Sequence, residues 1–221
     1  MMVDRLLFGI LTLIASINLV SEAMGQSDDV REALEHAGGN LGELESALRK
    51  VNGKDTEYLI AHASQYDIVN LTAEQIVENV TYSRKVHQAL PYLGRKLDDV
   101  LWREWVLPHR VLDEDVCMWR KDFYERLQPV VQGKKSVREA VEAIHTWLMV
   151  KDGSGAARMA FGTGNSENRC KTPVQMLKIG VGSCGELSMM MVYLLRAVGI
   201  PARHCLTNWR FDGDALHYYC E

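Results

Sequence analysis

The sequence predicts an α+β protein: an all-helical region followed by a mixed core in which one buried helix leads into two returning strands. Three observations carry that prediction. Apolar residues recur at helical spacing from Asp28 to about Val131. The run "ELSMMMVYLLRAV", residues 186–198, is apolar around most of its circumference, as a central helix is. Downstream, "ARHCLTN" and "ALHYYCE" read as strands on either side of a "FDGD" turn. The expected organisation is a leader over 1–25, a helical region over 26–133 and the mixed core over 134–221.

At the N-terminus, Arg5 precedes the apolar stretch Leu6 to Val20, and small residues follow at Ser21, Ala23 and Gly25. That is the layout of a secretory signal peptide. The stretch is shorter than the roughly 20 residues of a membrane span and is interrupted by Thr12, Ser16 and Asn18. The expectation is export, to the periplasm or outside the cell, with no stable membrane insertion once the leader is removed. With 221 residues, 47% of them hydrophobic, the chain can bury one sizeable core. A net charge of −4 and the absence of a Lys/Arg cluster interleaved with aromatics exclude a nucleic-acid partner.

Within the helical region, "DDVREALEHAGG" and "LGELESALRKVNG" each place apolar residues on one face and end in glycine. "LTAEQIVENVTYSRKVHQALPYLG" predicts a longer helix, N-capped by Thr72 with Gln75 closing a capping box and Pro91 marking its end. Trp102, Trp105, Trp119, Phe123 and Tyr124 read as core rather than as a ligand platform. His109 reads as an ordinary loop histidine, and Asn70 and Asn79 lie in sequons that are acceptors only in a suitable host. The mixed core opens with the amphipathic helix "SVREAVEAIHTWLMVKDG".

Punctuation then becomes dense. Thr172 is an N-cap, Pro173 the first helical residue, Gln175 the partner in a capping box and Gly180 the stop. Ser183, Cys184, Gly185 and Glu186 repeat the capping-box pattern and set Cys184 at the first helical position. Unpaired N–H groups and the positive end of the helix dipole favour a thiolate there. Gly182 and Gly185 leave room for a substrate carbonyl, and the Cys184 N–H could stabilise an oxyanion. The plain alternative is that Cys184 is only a small residue at a crowded helix start. His217, on the second strand, supplies an imidazole and is preferred over His204 as the base.

The stretch "TPVQMLKIGVGSCGELSMMMVYLLRAVGIPARHCLTNWRFDGDALHYYCE" resembles the core of the transglutaminase-like superfamily. The likeness rests on a G-x-C-G-[DE] nucleophile helix, an "LLRAxGIPAR" exit and a histidine strand of the form H-x-W-x-E. It is strong over Thr172 to Glu221 and looser over Ser136 to Leu148. "WREWVLPHRVLDEDVCMWR" more weakly resembles the N-terminal part of secreted bacterial members. The resemblance implies a papain/transglutaminase-like cysteine-enzyme core, with Cys184 as nucleophile and His217 as general base and acid.

Tyr218 and Tyr219 stand where a small residue and a tryptophan are usual. The family's third catalytic residue, an aspartate on the next strand, would fall beyond Glu221. The chain therefore reads as C-terminally truncated, and these residues alone are expected to be inactive or nearly so.

The implied function is exported, cysteine-dependent acyl transfer on a protein or peptide, through a thioester on Cys184. It requires no metal or organic cofactor. The alternative is a non-catalytic exported binding module on the same fold.

Five cysteines leave at least one unpaired, and no C-x-x-C spacing occurs among them. A zinc site from His204, Cys205, His217 and Cys220 is disfavoured, because adjacent strand residues point to opposite faces. A two-residue turn at Asp212–Gly213 would set Cys205 opposite Cys220 and allow a cross-strand disulfide, which a longer loop would undo. Cys117 with Cys170 is the remaining pairing, by elimination.

Overall fold

The computed structural model describes residues 27–88, 97–150, 157–162, 171–208 and 216–221. The expected leader over 1–25 and the expected turn at Asp212–Gly213 lie outside the described residues. Among those that are described, no helix is long and apolar enough to cross a membrane. The chain divides into two compact units, Met1–Val77 and Glu78–Glu221. The unit that holds the strands thus also holds helices that the sequence places in the N-terminal region.

The first unit contains α1 (Asp28–Glu35), a 3-10 turn (Gly38–Asn40), α2 (Leu41–Lys50), α3 (Lys54–Ala61), α4 (Gln65–Asn70) and the start of α5 (Ala73–Gln88). Its core is the predicted apolar face of α1 and α2 (Val30, Ala33, Leu34, Leu44, Ala47, Leu48) closed by Leu59, Ile60, Ile68 and Leu71. Asn40 fastens the far end, its amide donating to the carbonyls of Ile68 at 2.8 Å and Leu71 at 2.9 Å. The α5 cap is as the sequence predicts: the Thr72 N–H donates to Gln75, and the Gln75 N–H to the Thr72 hydroxyl. The sequence reading named no separate helix for α3 or α4: α4 spans only six residues, and α3, as long as α1, buries just Thr56, Leu59 and Ile60, which makes a weak apolar stripe.

The second unit adds α6 (Asp99–Trp105), α7 (Arg120–Val131), α8 (Val137–Met149), β1 (Ala160–Phe161), α9 (Pro173–Ile179), β2 (Val181–Gly182), α10 (Cys184–Ala197), β3 (His204–Asn208) and β4 (Leu216–Cys220). The central helix is α10, against which α7, α8, α9 and the β3–β4 hairpin pack. Met190, Val192, Tyr193, Leu194 and Ala197 are at most 1% exposed, and they meet Phe123 and Leu127 of α7 and Ile144 and Leu148 of α8. Each such large apolar side chain removed from water contributes roughly 1.5–3 kcal/mol.

A buried polar network fixes α10 to the segment 106–119. The Glu114 carboxylate accepts from the N–H groups of Val111 at 2.6 Å and Leu112 at 2.9 Å, and from the Tyr193 hydroxyl. Arg196 donates to the carbonyls of Arg110 and Ala202. Arg120, 1% exposed, donates to Asn79 Oδ1 at 2.7 Å and to the carbonyls of Arg196, Val106 and Pro108. Burial lowers the affinity of both guanidinium groups for their protons, that of Arg196 to about 10. Asn79 is itself buried, its amide donating to the Leu107 carbonyl, so its sequon is inaccessible in the folded chain.

The strands form two small sheets. β1 and β2 are parallel, with Ala160 opposite Val181 and Phe161 opposite Gly182, a pairing the sequence reading did not foresee. β3 and β4 are antiparallel, with His204 opposite Cys220, Leu206 opposite Tyr218 and Thr207 opposite His217. This register excludes the Cys205–Cys220 bridge that a two-residue turn would have allowed. An odd number of residues, 209–215, joins the strands, which shifts the ladder by one and turns the two sulfurs to opposite faces. Cys205 and Cys220 are free thiols, as is Cys117, and Cys170 lies outside the described residues.

Candidate active site

The path to Cys184 is built from local sequence. In α9 both halves of the predicted capping box form: the Thr172 N–H donates to Gln175 at 3.0 Å, and the Gln175 N–H to the Thr172 hydroxyl at 3.3 Å. Gly180 ends the helix with φ of 72°, a left-handed conformation that suits glycine. β2 then pairs with β1 for two residues and delivers the chain to α10.

A Cβ on Gly182 would lie 2.6 Å from the Met159 methyl and 2.7 Å from Glu186 Cβ. The space at Gly182 is therefore filled by the protein and is not left for a ligand, as the sequence reading had it. It lets Glu186 fold back over the helix start. The Glu186 carboxylate, 9% exposed, accepts from the Ser183 N–H at 2.8 Å and from the Ser183 hydroxyl. Cys184 follows as the first residue of α10, half-buried and free of any disulfide.

The hairpin covers the first turns of α10. Tyr218 lies over the residue next to the cysteine, its ring 3.7 Å from where a Gly185 Cβ would stand. Its ring stacks on His204, with centroids 4.9 Å apart and planes at 23°. His204 Nδ1 is 2.9 Å from the Ser188 hydroxyl, which is also 2.9 Å from the Gly185 carbonyl oxygen. Cys220, on the same face of the hairpin, packs on the core, and burial pushes its thiol up to about 11. Burial also shifts His204 toward its neutral form.

His217 sits one residue before Tyr218. Strand alternation sets its side chain on the hairpin's other face, with Thr207 and Tyr219, where it is exposed. Of the two histidines weighed in the sequence, the one facing α10 is His204. His109 serves through its carbonyl, which accepts the Trp119 indole N–H at 2.7 Å. Among the described residues no group of three or more His, Cys, Asp or Glu side chains is placed to hold a metal ion.

Sequence reasoning missed Ser188 and the stack of Tyr218 on His204. Ser188 reads as one polar residue in an apolar helix, and the signal available was its place one turn after Cys184.

A half-buried cysteine thus heads α10, reached through a glycine-walled turn and lying beside the returning hairpin. Residues 125–221 match the family model of the transglutaminase-like superfamily. No curated protein and no solved structure matches the chain. The matched segment includes most of α7 and all of α8, α9, α10 and both small sheets, so it contains every residue of the candidate site.

Proposed function

We propose that the chain carries an exported, cysteine-dependent acyl-transfer centre that acts on protein or peptide amides. The observation that carries this reading is the position of Cys184: first residue of α10, behind a closed capping box, within a segment that matches the transglutaminase-like superfamily. The N–H groups at the helix start and the helix dipole favour negative charge on the sulfur. Export rests on the apolar leader and its small-residue cleavage region.

The Cys184 thiolate attacks the amide carbonyl, and the C–S bond forms while the oxyanion draws on backbone N–H groups at the helix start. His217, having taken the proton of the Cys184 thiol, gives it to the departing amine as the C–N bond breaks. Water or a second amine, deprotonated by the same imidazole, then attacks the thioester, releases the acyl group and returns the thiolate. His217 lies on the outer face of the hairpin, away from the face turned to α10, so its role rests on the sequence resemblance alone, and its exposure makes the assignment directly testable.

The test is iodoacetamide labelling of the full chain across pH, read on the Cys184 peptide by mass spectrometry. Cys184 is expected to alkylate readily at mildly acidic pH, and His217→Ala to slow it. Labelling of Cys184 that rises only where an ordinary thiol ionises, about pH 8.5, overturns the nucleophile and favours a binding module. Labelling unchanged in His217→Ala overturns the base.

A further inference from the structure

The hydrogen bonds around Ser188 fix the state of His204. A serine hydroxyl has one proton and here stands 2.9 Å from two groups, the Gly185 carbonyl and His204 Nδ1. The carbonyl can only accept. If the hydroxyl donates to it, Nδ1 must carry the ring proton and donate to Ser188, and all three groups are satisfied. If the hydroxyl instead donates to Nδ1, the ring proton sits on Nε2, which is buried with no hydrogen-bond partner. An orphaned buried N–H is the costlier arrangement. The neutral Nδ1–H tautomer is therefore the one the site selects.

We infer that His204 is a positioning residue for Cys184: through Ser188 and Tyr218 it fastens β3 and β4 to the first turn of α10. Both routes end at Gly185, one residue from the sulfur. The first runs His204–Ser188–Gly185 carbonyl. The second runs through the His204–Tyr218 stack to the face of Gly185. Protonating the ring adds a second N–H, at Nε2, where there is no acceptor, and places a charge beside an apolar core. The tie that shapes the first turn is then strained on the acid side.

The titratable and charged groups around His204 do not replace its role. Across the ladder stands Cys220, a half-buried neutral thiol, and on the same face Tyr218. The Arg203–Glu221 pair at the strand ends is exposed and mutually neutralised. On α10, Glu186 is held by Ser183, and Arg196 by the carbonyls of Ala202 and Arg110. Burial is the one cause that shifts His204 itself.

The functional consequence rests on the reading of Cys184 as nucleophile, but the tautomer does not, so the two fail separately. Long-range ¹H–¹⁵N spectra of the full chain are expected to show His204 protonated at Nδ1 at neutral pH, and Ser188→Ala to remove that preference. A dominant Nε2–H form in the wild type overturns the inference whatever the cysteine does. In the labelling experiment, wild-type Cys184 is expected to show a step on the acid side of the ordinary histidine range, about pH 6.5. His204→Asn offers an amide N–H near the place of Nδ1–H and does not titrate. It is expected to lose the step and keep the neutral-pH rate.

His204→Phe keeps the stack without the donor and is expected to label about tenfold more slowly. A step that persists in His204→Asn overturns the inference, as does wild-type labelling in both variants. If His204→Phe fails to fold, the wild-type spectrum and His204→Asn still decide.

Discussion

Two imidazoles on opposite faces of one hairpin meet different surroundings. His217 meets solvent on the outer face, while His204 is wedged between Tyr218 and Ser188. Burial disfavours the His204 cation, so its folded-state proton affinity lies below the ordinary value of about 6.5 that holds in the unfolded chain. Between those two values the unfolded chain binds more protons than the folded one, and stability rises with pH. The contribution of this group is thus complete above about pH 6.5 and is lost progressively as pH falls below it. Urea midpoints measured from pH 7.5 to pH 5 are expected to fall in the wild type and to fall less in His204→Asn. Equal slopes would show that the ring titrates alike in both states. The acidity of the surrounding chain changes over the same range, so the difference between the two proteins is the informative quantity.

Elements whose signal lies within four residues were legible, and those whose signal lies across the chain were not. The caps at Thr72, Thr172 and Ser183 are read from a hydroxyl and a Glu or Gln three residues on, and each forms. The central helix shows itself by lacking a polar face, and the β3–β4 hairpin by two short runs around a turn. Its register was illegible because one residue more or less in the loop turns one strand's faces over relative to the other's, and the observed register sets His204 on the face of Tyr218 and Cys220 and His217 on that of Cys205. The β1–β2 pairing spans two residues on each side, too few to leave a pattern. The candidate site was accordingly half legible: Cys184 follows from its cap, whereas Ser188 and His204 meet only through that register. The cap itself makes a quantitative claim. Glu186→Ala removes the acceptor for the Ser183 N–H and is expected to destabilise the fold by about 1 kcal/mol, within the range of cap deletions. Glu186→Gln, which retains an acceptor oxygen, is expected to lose less. Urea denaturation of both variants checks the order, and equal losses would assign the effect to charge rather than to the cap.

At the scale of the whole molecule, a modest net charge of −4 conceals a core that contains ions. Glu114, Arg120 and Arg196 are each at most 4% exposed, in the unit that carries the candidate site. Charges so deeply placed persist only where every donor and acceptor is met. Arg120 meets this condition with little help from carboxylates: its guanidinium fork spans Asn79 and the carbonyls of Val106, Pro108 and Arg196, so it serves as a buried donor hub. The hub joins α5, the segment after α6, α7 and the end of α10, and α10 is the helix that begins at Cys184. Arg120→Met fills comparable volume and removes the donors, so a cavity does not confuse its effect. The stranded carbonyls and the Asn79 amide oxygen are expected to cost about 3 kcal/mol or more, the scale of breaking a buried charged network. Tryptophan fluorescence during urea unfolding reads the change, since Trp119 stands beside Arg120 and edge-on to Tyr193. Arg120→Lys, with one compact ammonium in place of a planar fork, is expected to recover only part of the loss, because it cannot reach carbonyls that diverge from one another. Full recovery by lysine would mean that charge alone, and not the fork, holds the segment 106–119 against α10.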